Sequence, residues 1–154
     1  MRRLVLFAAV VFVLTGCGGG QGDSGGQGRG APADGGGGLS LDLSFSPEPL
    51  RAGQPVTWSL EVSNGTKAPA TLTFPSGQQG DVVLLRGGTE AYRWSADRLF
   101  AQAVVKERLE AGGHKTFPLE EKAVSVAPGD YDLVATLATE PALRPVQRRV
   151  TVER

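Results

Sequence analysis

From Leu39 onward, apolar and polar residues alternate one for one through nearly every extended stretch. This period constrains the fold more than any other feature. Successive side chains of a strand point to opposite faces, so strict alternation marks strands with one buried and one wet side. Leu39, Leu41, Leu43 and Phe45 alternate with Ser40, Asp42 and Ser44, and Val56, Trp58, Leu60 and Val62 with Thr57, Ser59 and Glu61. Ala70, Leu72 and Phe74 follow, then, later, Tyr131, Leu133, Ala135 and Leu137, and finally Val146, Arg148, Val150 and Val152. Pro47, Pro49, Gly53 and Pro55, then Pro75-Ser76-Gly77, then Pro128-Gly129 punctuate these runs and do not sit inside them.

The connections are read the same way. Asn64-Gly65 is a hairpin signal, and Arg86-Gly87-Gly88-Thr89 joins residues 82–85 to 91–94 in a second hairpin. Ser95 to Arg98 fit the cap of a single helical turn. Residues 100–109 mix Val104-Val105 with helix-favouring neighbours. A strand is preferred there, because Ala111-Gly112-Gly113 leads straight into the extended run 114–119, with His114 exposed in a hairpin turn. Arg148 and Arg149 suit an exposed edge. Seven to nine short strands with no long amphipathic helix predict an all-β fold, an antiparallel β-sandwich. Gly129-Asp130-Tyr131 reads as a tyrosine corner, which makes the sandwich immunoglobulin-like. The run 39–154 is long enough for one core, with Trp58 inside it. The chain's single cysteine leaves no intramolecular disulfide to support it.

The N-terminal residues have a different character. Met1-Arg2-Arg3 precedes eleven uninterrupted apolar residues, 4–14. That is too short for a spanning helix, which needs roughly 20, and it fits the apolar region of a signal peptide. Leu14-Thr15-Gly16-Cys17 resembles the bacterial lipobox. The resemblance implies a signal peptide over 1–16, cleavage before Cys17 and lipidation of the Cys17 sulfur, the only thiol present. Two or more acyl chains anchor a protein stably without crossing the bilayer. The expected location is therefore exported, anchored to the cell membrane or outer membrane, with the domain facing the periplasm or exterior. Residues 18–38 hold twelve glycines in twenty-one positions and no large apolar side chain, so 17–38 reads as lipidated Cys and flexible linker.

Charge and composition exclude several functions. Sixteen basic residues balance sixteen acidic ones, so no basic surplus points to nucleic acid. One histidine and one cysteine leave no histidine-based catalytic set or multi-histidine metal centre. Asp81, Asp97, Asp130 and Asp132 lack calcium-loop spacing. Asn64-Gly65-Thr66 matches the glycosylation pattern, but a turn explains it better after a bacterial export signal. No catalytic residue, metal or cofactor is expected, and the chain is read as a monomeric non-enzyme.

The order of motifs resembles the intracellular proteinase inhibitor (BsuPI) family. Val62-Ser63-Asn64 comes first, then Leu72-Thr73-Phe74-Pro75-Ser76-Gly77-Gln78 with Asp81 close behind. Tyr92-Arg93-Trp94-Ser95 and Phe100 follow, then Leu109-Glu110-Ala111-Gly112, then Pro128-Gly129-Asp130-Tyr131. Gly80 and Val82 flank Asp81 where the family tends to place an aromatic. The resemblance implies an immunoglobulin-like sandwich and a serine protease as partner. A protease cleft binds a stiff loop, and Pro75, Ser76, Gly77, Gln78 and Gln79 form a proline-stiffened candidate; Arg93 and Trp94 are a secondary candidate. The same loop could instead satisfy turns and hold the sheets in register. No basic or large apolar side chain in 76–80 could fill a deep pocket, so a subtilisin-like cleft suits it better than a trypsin-like one. A non-inhibitory binding or assembly module of the cell envelope, using the same sandwich on another envelope protein, is the other function open at this point.

Overall fold

The computed structural model describes residues 33–35 and 38–154. The expected signal peptide, Cys17 and most of the expected linker lie outside the described residues. Among the described residues, eleven strands are found: β1 (Ala33–Gly35), β2 (Leu39–Ser46), β3 (Leu50–Arg51), β4 (Val56–Asn64), β5 (Ala70–Phe74), β6 (Gly80–Arg86), β7 (Thr89–Arg93), β8 (Val105–Leu109), β9 (His114–Glu121), β10 (Gly129–Leu137) and β11 (Val146–Glu153). With the three-residue β1 and two-residue β3 set aside, nine remain, and no helix occurs among the described residues. The fold is all-β, as the alternation requires.

One sheet runs β1-β2-β4-β9 and the other β3-β11-β10-β6-β7, while β5 and β8 form a small third sheet. Every pairing is antiparallel except that of β3 with β11. The alternating residues fill the space between the sheets. Leu41, Trp58, Leu60, Val62, Leu72, Phe74, Val82, Leu84 and Leu133 are fully buried in one cluster. Trp58 is in the core, packed edge-on against Phe45 with ring centroids 5.4 Å apart. Phe74 of the small sheet reaches Phe117 of β9 at 5.2 Å. The tyrosine corner is present: the Tyr131 hydroxyl donates to the Ala127 carbonyl at 2.7 Å.

The β6–β7 hairpin turns through Gly87 and Gly88, whose φ angles of 58° and 82° belong to the left-handed region that a two-residue hairpin needs. Three residues of the glycine-rich tract, Ala33–Gly35, pair with Leu39, Ser40 and Leu41.

Five local expectations are corrected. Asn64-Gly65 is not a hairpin turn, because β4 pairs with β2 and β9 while β5 pairs with β8. The chain there changes sheets, and Asn64, only 1% exposed, clamps the crossing. Its Nδ2 donates to the carbonyls of Ala68, Leu109 and Glu110, and its Oδ1 accepts from the N–H and hydroxyl of Thr66. The connection 110–113 is likewise a sheet change between β8 and β9, closed by Gly113 N–H donating to Glu110 O. His114 is exposed as expected, but as the first residue of β9.

Only Val105–Leu109 of the stretch 100–109 is strand. Phe100 leaves the ladder because its ring packs on Trp94, at 5.8 Å. Ser95 to Arg98 form two successive turns, not a helical one, through Ala96 N–H to Arg93 O and Arg98 N–H to Ser95 O. Finally, Arg148 is not an exposed edge residue: it points inward and lies over the Phe45 ring at 4.5 Å.

Candidate functional site: a loop cluster beside an arginine-closed groove

Three connections meet at one end of the sandwich. The β5–β6 loop, 75–79, is tied to the β7–β8 connection by Gly77 N–H donating to Ala101 O at 2.8 Å. It is tied to the β10–β11 connection by Ala138 N–H donating to Gln79 O at 2.9 Å. Just before it, Thr73 and Glu140 exchange both backbone hydrogen bonds. Within the loop, Ser76 Oγ accepts from Gln78 N–H, and the Gln78 amide donates to Gly80 O. Pro75 and Gly77 are exposed, whereas Ser76, Gln78 and Gln79 are half-buried.

The loop ends where β6 meets the opposite sheet. A Cβ on Gly80 would collide with Leu60 Cδ1 and with the Thr136 carbonyl, so only glycine allows that approach. Asp81 follows at once and is almost fully buried. Its carboxylate accepts from the N–H of Val82, the N–H and hydroxyl of Ser95, and the Arg93 guanidinium at 2.8 Å. Asp81 therefore pins the start of the β7–β8 connection to β6.

Arg93 and Trp94 point in different directions. Arg93 lies over the surface between Asp81 and Glu90, and both hydrogen bonds raise its pKa. Trp94 is buried, with its indole N–H donating to Glu120 O at 3.0 Å. The cation stacked on it is Arg98, at 4.2 Å from the ring. Arg98 also donates to Trp94 O and Glu120 O, both at 2.8 Å, and pairs with Glu121 at 3.2 Å.

Tyr92 donates to the same Glu121 at 2.9 Å. Burial, then the hydrogen bond to Glu121, pushes the Tyr92 phenol well above its ordinary pKa of 10.0. Burial works to raise Glu121, but hydrogen bonds from Tyr92, Ala123 N–H, Lys122 N–H and Arg98 outweigh it and hold the carboxyl below its ordinary 4.5. A groove of about 690 Å³ runs along this cluster, lined by Tyr92, Trp94, Arg98 and Glu121 among others.

Sequence patterning did not mark the most exposed apolar side chains of the cluster. Leu99 is 102% exposed and Val104 65%, with Val105 beside them at the start of β8. A signal did exist. Leu99 and Phe100 are adjacent and both large and apolar, so in an extended chain one of them must face out. Among the described residues, no three His, Cys, Asp or Glu side chains converge as a metal site.

The family model that matches residues 43–142 is the intracellular proteinase inhibitor, BsuPI. The chain belongs to this family. The matched span runs from within β2 to just past β10, so it takes in the loop 75–79, Asp81, Trp94, Leu99 and the tyrosine corner. No curated protein matches the chain.

Among solved structures, it is similar to Spo0M, the sporulation control protein of Bacillus subtilis. That match has 15% identity and a TM-score of 0.48, over 77% of this chain and 50% of that one. It is also similar to the alkylpurine DNA glycosylase AlkC of Pseudomonas fluorescens, with 11% identity and a TM-score of 0.44, over 76% of this chain and 31% of that one. A β-glucosidase of Listeria innocua matches with 16% identity and a TM-score of 0.41, over 75% of this chain and 16% of that one. The chain spans half or less of each of these proteins.

Proposed function

We propose that this BsuPI domain binds and non-covalently inhibits a serine protease of the subtilisin-like kind through the loop cluster formed by 75–79 and 98–104. The observation that carries the reading is the Gly77–Ala101 hydrogen bond, which ties one connection of the cluster to the other. Ordering a loop on binding subtracts from affinity, and a loop already fixed in its bound form avoids that loss. Ser76, Gly77 and Gln78 lie at or beside the contact.

The test is inhibition of subtilisin-like and trypsin-like proteases by the full chain. Replacing Gln78-Gln79 with Pro-Pro, measured for inhibition and thermal stability together, then locates the contact. Lost inhibition at constant stability supports it, and lost stability assigns the loop to the fold.

The second reading, a non-inhibitory binding module of the cell envelope, is favoured by the exposed Val104 and Val105 at the free edge of β8. Partner capture without inhibition of any protease decides for it.

Both readings place the domain at a membrane surface, carried by lipid on Cys17. Cys17→Ala is expected to abolish lipid labelling and release the protein from the membrane fraction. Unchanged labelling and membrane association in that variant overturns the anchor.

A further inference from the structure

Leu99 is fully exposed while its neighbours are fixed. On one side, the Arg98 side chain bonds to Trp94 O, Glu120 O and Glu121 and stacks on the Trp94 ring. On the other, Phe100 packs its ring on Trp94 from the adjoining position. The Phe100 carbonyl accepts from the Gln102 side-chain amide, and Ala101 O accepts from Gly77 N–H. Among the described residues nothing hydrogen-bonds to the Leu99 backbone amide or carbonyl.

A large apolar side chain that the fold leaves wholly in water, on a segment held at 98, 100 and 101, is suited to insertion into a pocket. The free Leu99 amide and carbonyl are then available for main-chain pairing with the walls of a cleft, the usual way an extended segment is bound. Loop 75–79 supports this segment from behind through Ala101 and contributes no pocket-filling side chain of its own.

We propose that Leu99 is the specificity-determining residue of the inhibitory site and enters the primary pocket of a serine protease whose pocket is apolar. The inference rests on the inhibitory reading above and names the residue and partner class that the reading leaves open. A primary pocket discriminates by its lining: an apolar slot takes Leu, and a carboxylate at its base takes Arg. Central buried anchors dominate interface energetics, and truncating one weakens binding by about 30-fold or more.

The experiment uses the full chain, purified in detergent, against subtilisin-like, chymotrypsin-like and trypsin-like proteases. The variants are Leu99→Ala and Leu99→Arg, with thermal melting of each. Leu99 makes no contact with the core, so its variants are expected to melt with the parent. The expected result is inhibition of proteases with apolar pockets by the parent and at least about 30-fold weaker inhibition by Leu99→Ala. Leu99→Arg is expected to lose those targets and gain inhibition of the trypsin-like protease. Parent inhibition that Leu99→Ala and Leu99→Arg leave unchanged overturns the role of Leu99 while the inhibitory reading stands. A parent that inhibits nothing in the panel overturns both.

Discussion

The sandwich has two open sides, and an arginine stacked on an aromatic ring closes each. On the β7–β9 side Arg98 covers Trp94, and on the β2–β11 side Arg148 covers Phe45. The device is the same but its hydrogen bonding is not. Arg98 reaches two backbone carbonyls and the Glu121 carboxylate. Arg148 Nε and one terminal nitrogen are buried with no hydrogen-bond partner among the described residues, and Glu48 lies 4.0 Å away, beyond hydrogen-bond reach. Burial lowers the Arg148 pKa, while Glu48 and Asp42 pull the other way. A guanidinium whose donors are met fixes the chain around it, whereas one whose donors are unmet contributes mainly its stem and its ring contact. The satisfied arginine stands next to the candidate binding segment.

Removing the rings separates the two sides most strongly. Trp94→Ala deletes a buried indole, its bond to Glu120 O and the support under both Arg98 and Phe100, and is expected to lower stability by about 3–5 kcal/mol. Phe45 is only half-buried, so Phe45→Ala is expected to cost about 2 kcal/mol. Chemical denaturation of both variants checks this, and equal losses would mean that the sides are closed equally well.

Most of the sandwich was legible because β2, β4 and β10 each have one buried face, which period-two patterning reports directly. The failures occurred where a residue's partner is remote. Asn64 has the local chemistry of a turn, but its amide is spent on carbonyls forty-five and forty-six residues away, which no neighbour announces. The charge of Arg148 points to solvent, although an aliphatic stem under a planar cation can lie along an aromatic face. In the candidate site, 75–79 stood out through its proline and glycine. Leu99 did not, because exposure is a property of the assembled fold and alternation assigns apolar residues to the interior.

The arginines themselves give the next largest difference. Arg98→Met keeps the stem and the ring contact but leaves Trp94 O and Glu120 O without this donor. A loss of about 2 kcal/mol is expected in denaturant unfolding. Faster amide exchange over residues 98–101 is expected to accompany it if Arg98 holds that segment. Stability loss without a local change in exchange would assign Arg98 to the fold alone.

A smaller effect on the β7–β9 side is its dependence on pH. Glu121 has a depressed pKa in the folded state, so its bonds to Arg98 and Tyr92 stabilise the protein above the ordinary carboxylate pKa of 4.5 and are lost as pH falls below it. Tyr92 is shifted upward, so its contribution persists through neutrality and falls as pH rises past its ordinary 10.0. Glu121→Gln is expected to cost about 1 kcal/mol at pH 7 and progressively less as pH falls below the ordinary carboxylate range and the parent loses the same contribution. Parallel stability–pH curves for parent and variant would remove Glu121 from the acid response.

Arg148 carries the smallest and most discriminating prediction. Methionine matches the length of the arginine stem, can lie against the Phe45 ring through its sulfur, and brings no donors to satisfy. Arg148→Met gives up the cation–ring attraction and a long, weak pairing with Glu48, each worth little where water reaches. It also removes two buried N–H-bearing nitrogens that lack hydrogen-bond partners among the described residues, and a buried donor left unmatched costs about 1–3 kcal/mol. These contributions oppose each other and are of similar size, so the net change is expected to lie within about 1 kcal/mol of zero, on the stabilising side. Arg148→Ala, which also loses the stem packed on Phe45, should be clearly destabilising, and the gap between the two variants measures packing alone. If Arg148→Met costs as much as Arg98→Met, then hydrogen bonding is not what distinguishes the two sides, and Arg148 stabilises its side through charge.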